Sequence, residues 1–181
     1  DADSPPRWVH PSPPPRITII TPSYNQGAFL EETLRSVLLQ GYPNLEYIVM
    51  DGGSCDDSVQ ILEKYQPWLS YWISARDLGQ ADALNKGLAR ASGSLAGWIN
   101  SDDILLPGAL WTLAALHARQ PDAILLGDVV NTHAEQGQVW RIALTGIDDR
   151  RELVSRQAFA GLQFAGVLVI VRDLVALGDR L

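Results

Sequence analysis

A chain of 181 residues with 46% apolar side chains can bury the core of one ordinary domain, which excludes a disordered polypeptide. Its formal net charge of -7, from 14 Lys and Arg against 21 Asp and Glu, lacks the cationic excess that would hold a phosphate backbone, so no nucleic acid partner is expected. The single cysteine, Cys55, excludes an intramolecular disulfide and a cysteine metal cluster, as fits a reducing compartment.

Residues 1–15 belong to a Pro-rich stretch, with six of the eleven prolines before Arg16, and read as an extended arm. From residue 16 to 181 one domain is expected. Strand-length apolar runs there alternate with helix-length amphipathic segments, the pattern of an α/β fold with a mostly parallel sheet covered by helices. The β-branched run "ITIITP" (17–22) predicts a buried first strand, and "GAFLEETLRSVLLQ" a helix with Phe29, Leu30, Thr33, Leu34, Val37 and Leu38 on one face. "EYIVMDGG" (46–53) is a second strand stopping in Asp-Gly-Gly, and "DDSVQILEKY" a second helix, with Ser54 and Asp57 at capping-box spacing.

"SYWISA" is a short third strand and "GQADALNKGLARA" a third helix. "LAGWI" (95–99) is the fourth strand, and Pro107 suits the first turn of a helix through "GALWTLAALHAR". "AILLGDVV" and "QVWRIAL" read as further strands, followed by a charged helix around Asp148 to Arg156, the apolar run "FAGVLVIV" and a short terminal helix in "DLVALGDRL". Apolar runs such as Ala109–Leu116 are too short to span a bilayer, so no transmembrane segment is expected, and no signal peptide opens the chain.

Ligands of open α/β sheets bind beyond the carboxyl ends of the strands, and the polar motifs fall there: "TPSYNQG", "DGGSCDD" and "NSDD". Neither GxGxxG nor GxxxxGK[ST] is present, which counts against a dinucleotide dehydrogenase and a P-loop ATPase. The adjacent carboxylates Asp102 and Asp103 suit a divalent cation whose shell is completed by water and substrate phosphates. Capping of the helix near Pro107 is an equally good account of that pair taken alone. Asp51 in isolation reads as well as a turn residue, Lys86 as a solvated helix lysine, and Trp68, Tyr71 and Trp72 as edge cover.

Together "ITIITPSYNQGAFLEETLRSVLLQGYPNLEYIVMDGGSCDDSVQIL", "DLGQADALNKGLARASG", "WINSDDILLPGAL" and "LLGDVV", in this order, resemble the family 2 glycosyltransferases of the GT-A fold. The resemblance covers roughly Arg16 to Val130. It implies a Rossmann-like α/β/α sandwich that moves a sugar from a nucleotide-diphosphate donor, a UDP-sugar by default, to a saccharide or lipid-linked acceptor hydroxyl with inversion. It implies Mn2+ or Mg2+ as cofactor and a hexosyltransferase of polysaccharide biosynthesis, cytoplasmic or at the inner membrane face.

The resemblance also assigns residues. Thr21, Pro22 and Tyr24 would lie against the base and ribose, and Asp51 would accept hydrogen bonds from them. Asp77, Gly79, Gln80, Asp82, Asn85 and Lys86 match the "D-x-G-Q-x-D-A-x-N-x-G" pattern. Gln80, Asp82, Asn85, Lys86 and Ser101 are carried over as donor-binding residues, and a helix would bring Asp82, Asn85 and Lys86 onto one face. Asp102 matches the last acidic position of the DxD motif and is the expected metal ligand. Asn100 stands where the first aspartate often is. Asp103 is expected beside Asp102 in catalysis, and Asp128 on the acceptor side.

"VRDLVALGDRL" resembles the family's R-x-x-x-x-x-G-x-x-D turn, beyond which the acceptor's general base usually lies, so the domain reads as truncated at its C-terminal end. A non-catalytic nucleotide-sugar binding module and a nucleotidyltransferase are the competing expectations; the latter would want a basic Gly-rich first loop, and "TPSYNQG" has no cation.

Overall fold

The structure, a computed structural model, describes residues 11–119, Leu125 and the backbone of residues 129–133 and 138–142. Most of the proline arm, Asp128, the helix around Asp148 to Arg156, the run 164–171 and the terminal helix lie outside the described residues.

Four strands, β1 (Ile17–Ser23), β2 (Leu45–Asp51), β3 (Tyr71–Ser74) and β4 (Leu95–Trp98), form a parallel sheet in the order β3-β2-β1-β4. Between them run α1 (Gly27–Leu38), α2 (Ser58–Tyr65) with a short 3-10 turn at Gln66–Trp68, and α3 (Gln80–Leu88); α4 (Ala109–Arg119) follows β4. Every residue of β1 is buried, as a central strand covered on both faces requires. Ile17, Ile19, Tyr47 and Val49 meet Leu30 and Leu34 of α1, Leu62 of α2 and Leu110 of α4 on one face. Ile20, Ile48 and Met50 meet Ala83 of α3 on the other. The expected α/β/α layering is present.

β1 steps to β2 and β3 on one side, whereas β4 returns to its other side, so strand order reverses between β1 and β4. Their carboxyl ends are where such a sheet opens a crevice. Pro22 fits this place. The Ile20 carbonyl accepts from Ile99 N, so residues of that parity face β4, and Pro22 lies beyond the last registered pair, Ile20↔Trp98, where a missing N–H breaks no ladder bond.

Several boundaries differ from the sequence reading. Ser54 and Asp57 form no capping box: α2 starts at Ser58 without a side-chain bond from Asp57, and the Ser54 hydroxyl donates to Asp51 instead. Pro107 is not in the first turn of α4, because Gly108 at φ +81 cannot continue a helix and the element starts at Ala109. Phe29 is exposed rather than part of the buried face of α1. Beyond α4, β5 (Val129–His133) and β6 (Gln138–Ile142) pair antiparallel as a two-stranded ribbon; of the strand expected at 123–130, Leu125 makes a bridge, Val129 and Val130 open β5, and the other positions lie outside the described residues.

At the amino ends of β1 and β2, opposite the crevice, Glu46 is buried and accepts from Arg16 (3.0 Å), Thr18 Oγ1 (2.6 Å) and both the N–H and hydroxyl of Ser92 (2.7 Å each). Burial alone would raise its pKa, but the Ser92 and Thr18 bonds with the Arg16 charge outweigh it and hold the carboxyl below its ordinary 4.5. A depressed folded pKa contributes stability that is present above the unfolded value and lost as pH falls through the folded one. The stability difference between wild type and Glu46→Gln should therefore be constant near neutrality and shrink below about pH 4.5, read from denaturant midpoints; a difference independent of pH would refute this.

Candidate functional site

Where the sheet reverses, an open cleft of about 500 Å³ is lined by Pro22, Ser23 and Tyr24 after β1, Gly52 after β2, Arg76 to Gln80 in part after β3, and Asn100, Ser101 and Asp102 after β4. Its size suits a nucleotide-sized ligand.

The first two loops are held by reciprocal bonds. Asn25, in the left-handed region at φ +52, donates its N–H to Ser54 Oγ (2.8 Å) and accepts from Cys55 N through its side chain (2.9 Å). The Asp56 carboxylate accepts from Gly27 N (2.8 Å) and Ser58 N (3.0 Å), joining the starts of α1 and α2. Asp51 organises the same region. Only 2% exposed, its carboxylate accepts from Gly53 N (3.2 Å), Ser54 N (2.9 Å), Ser54 Oγ (2.5 Å) and Ser74 Oγ (2.6 Å).

The third loop brings Asp77 against Gly52, where a Cβ would stand 3.1 Å from the carboxylate. Asp77 also accepts from Gly79 N (2.8 Å), and Gly79 takes φ +107 just before α3 begins. Across the cleft, the half-buried Asn100 accepts from Gln80 Nε2 (2.7 Å) and donates to Asp103 (3.0 Å), while Thr33 of α1 donates to the Ser101 carbonyl (2.9 Å).

Of the residues singled out in the sequence, the cleft unites Pro22, Tyr24, Asp77, Gly79, Gln80, Asn100, Ser101 and Asp102. Tyr24, 61% exposed, presents its ring at the rim. Asp102 is exposed and, among the described residues, has no hydrogen-bond or ion-pair partner, and α4 begins well beyond it at Ala109, so it does not cap that helix.

Others lie elsewhere. Thr21 is fully buried and shares a 3.0 Å bond with the Tyr47 hydroxyl on the α1 face, because strand alternation turns it away from Pro22. Asp51 is enclosed by its own loops and Asp103 is buried at 6% exposure, so neither carboxylate lines the cleft. Asp82, Asn85 and Lys86 follow α3 away from the lining. Lys86 pairs with Asp82 at 2.6 Å, and that bond, aided by one from Leu78 N, holds the Asp82 carboxyl below its ordinary value. Lys86 is therefore paired on its own helix and does not line the cleft.

The cation at the cleft is Arg76. Exposed and without a hydrogen-bond or ion-pair partner among the described residues, it lines the cleft directly after β3. Sequence reasoning missed it, along with Ser23, Gln26 and Gly52. Its position at the carboxyl end of a strand was the available signal.

A divalent cation finds one free carboxylate here. Among the described residues no three His, Cys, Asp or Glu side chains gather into a metal-holding group, and the Asn100 carbonyl oxygen already accepts from Gln80. The donor set fits Mg2+ or Mn2+ only with Asp102 as the protein ligand and ligand phosphates and water supplying the other oxygens.

The chain resembles known proteins over this region. It is 43% identical over 90 residues to an uncharacterized glycosyltransferase of Mycobacterium tuberculosis, covering 49% of this chain and 34% of that one. It is 36% identical over 103 residues to the GalNAc(5)-diNAcBac-PP-undecaprenol beta-1,3-glucosyltransferase of Campylobacter jejuni, covering 55% and 33%. The matched stretch thus spans about a third of those relatives' own length. Among solved structures, S. aureus TarS 1-349 in complex with UDP-GlcNAc superposes with a TM-score of 0.57 at 28% identity, covering 61% of this chain and 33% of that one. The mannosyltransferase PcManGT of Pyrobaculum calidifontis, in complex with GDP-Man and Mn2+, shares the fold at TM-score 0.54 and 22% identity, over 86% and 50%. The family model described as glycosyl transferase family 2 matches residues 18–170, from the second residue of β1 past the end of β6. With that match over most of its length and a GT-A sheet beneath the cleft, the chain belongs to glycosyl transferase family 2.

Proposed function

We propose that this cleft binds a nucleotide-diphosphate sugar and that the protein transfers the sugar to an acceptor hydroxyl with inversion. The observation that carries the reading is the pairing, in one cleft, of a guanidinium, Arg76, and a carboxylate, Asp102, neither of which has a partner among the described residues. Arg76 has the fork geometry and permanent charge to hold diphosphate oxygens. The exposed Tyr24 ring and the buried Pro22 give the base a flat, rigid edge. That the 28% identical TarS structure holds UDP-GlcNAc supports a UDP-sugar as the first donor to try.

In the proposed reaction the acceptor oxygen forms a bond to the anomeric carbon from the face opposite the diphosphate. The bond from that carbon to the diphosphate oxygen breaks, and its electron pair leaves with the nucleoside diphosphate. The acceptor proton passes to a base not placed among the described residues. A divalent cation held by Asp102 would neutralise charge on the departing diphosphate. The acceptor we propose is a saccharide, free or carried on a lipid pyrophosphate as the Campylobacter relative's name states for that protein.

Calorimetric titration of UDP, GDP and dTDP into the full chain, with and without Mn2+, tests the reading. One nucleotide is expected to bind, more tightly with Mn2+. Arg76→Ala should weaken it about 10- to 100-fold and flatten its salt dependence, as loss of a charged hydrogen-bonding group implies. If no nucleotide binds in any condition, the donor-site reading is wrong.

A further inference from the structure

We propose that Asn100 is a positioning residue rather than a substitute metal ligand: it is the middle of an Asp103–Asn100–Gln80 relay that sets the gap between the two walls of the donor cleft. This rests on the donor-site reading above.

One wall is the start of α3, where Gln80 is the first helical residue and lines the cleft. The other is the loop after β4, with Asn100, Ser101 and Asp102. The Asn100 side chain joins them, its Nδ2 donating to Asp103 Oδ2 (3.0 Å) and its Oδ1 accepting from Gln80 Nε2 (2.7 Å). Asp103 is a firm anchor for the chain of bonds, being buried and donating its own N–H to the Asn100 carbonyl (3.2 Å) in a tight turn.

The polarity of the relay dictates the residue type. A carboxylate must be met by a donor and the Gln80 amide nitrogen by an acceptor, and a primary amide offers both at once. The reversed amide would set NH2 against NH2 and oxygen against the Asp103 carboxylate, so the neighbours fix its orientation. An aspartate at this position would face Asp103 with a second negative charge, which raises the energy of the pair. The Gln80 bond takes one of the two lone pairs of the Asn100 oxygen and fixes its direction, so a cation could reach that oxygen only along the other. Hence the asparagine in the acidic motif matches its two neighbours, and Asp102 alone faces the ligand as a free carboxylate among the described residues.

The test uses the full chain with the nucleotide found to bind wild type. Its affinity is measured at several Mn2+ concentrations, and denaturant midpoints are recorded in parallel. Asn100→Ala and Gln80→Ala should each weaken the nucleotide about tenfold, while the double variant should lose scarcely more than either one, the mark of a shared interaction. Asn100→Asp should also weaken it, at every Mn2+ concentration. The paired exchange Asn100→Asp with Asp103→Asn, which restores one donor facing one carboxylate and leaves an acceptor for Gln80, should recover most of the affinity.

The Gln80→Ala midpoint should stay near wild type, separating positioning of the ligand from support of the fold. Fully additive losses, or an Asn100→Asp protein that binds nucleotide more tightly and saturates with less Mn2+, would overturn the relay and leave the donor site standing. A wild-type chain that binds no nucleotide would overturn both.

Discussion

Replacing Asp102 with asparagine is expected to abolish the Mn2+ dependence of nucleotide binding and to lower sugar transfer by about 100- to 1,000-fold, while leaving the fold within about 0.5 kcal/mol of wild type. The stability half of that result follows from the surroundings of Asp102: it is exposed, no described residue bonds to it, and the helix it could have capped starts at Ala109. The activity half follows from its charge. Asparagine keeps an oxygen of the same reach but no negative charge. A unit charge about 4 Å from a divalent cation at an effective dielectric of about 20 contributes on the order of 8 kcal/mol, of which water at this exposed site screens a large part, leaving roughly two to three powers of ten in rate. Transfer assays with and without Mn2+, alongside thermal unfolding, separate the two halves. A variant that unfolds early with its metal response intact would return Asp102 to a structural role.

Asp51→Ala should have the opposite profile, a loss of about 3 kcal/mol in stability that precedes any effect on affinity. Removing the carboxylate strands the Ser54 and Ser74 hydroxyls and the Gly53 and Ser54 N–H groups, and each unmet buried polar group costs about 1–3 kcal/mol, less where water can enter from the cleft. Urea unfolding of the variant measures it. Asp51→Asn should recover part of the loss, since an amide still accepts but sets an unwanted donor among donors. Were Asp51 instead to contact the base, both variants would unfold like wild type and bind nucleotide poorly.

These two aspartates show what the sequence could carry. The sheet and its helices were legible because their cause is local: β-branched runs such as Ile17–Thr21 and apolar residues recurring at helical spacing in α1 need no knowledge of distant partners. The place of the cleft was legible too, since polar loops at strand ends and the reversal of strand order are properties of the chain's rhythm.

Side-chain allegiance was less so. Asp51 ends a strand and Asp102 lies in the acidic loop after one, yet the first is enclosed by Ser54 and Ser74 and the second faces the cleft; the Ser74 partner lies 23 residues away on another strand. Thr21 and Pro22 are neighbours that point to opposite faces of the sheet, one to the core and one to the cleft. Lys86 stood in a recognisable pattern, yet the acid one turn earlier on its own helix pairs with it, whereas Arg76 stood in none and lines the cleft. Motif spacing records which residue types recur, while the partner each one finds depends on contacts that only the folded chain creates.

The Asp56 carboxylate, shared between the first amides of two helices, has a mechanical consequence. Loosening either helix start frees an acceptor on which the other depends, so the two ends cannot open separately at their separate costs. In amide hydrogen exchange Gly27 and Ser58 should therefore lose protection in one cooperative event, and the two helix starts behave as one stiff jamb beside the first two loops of the cleft.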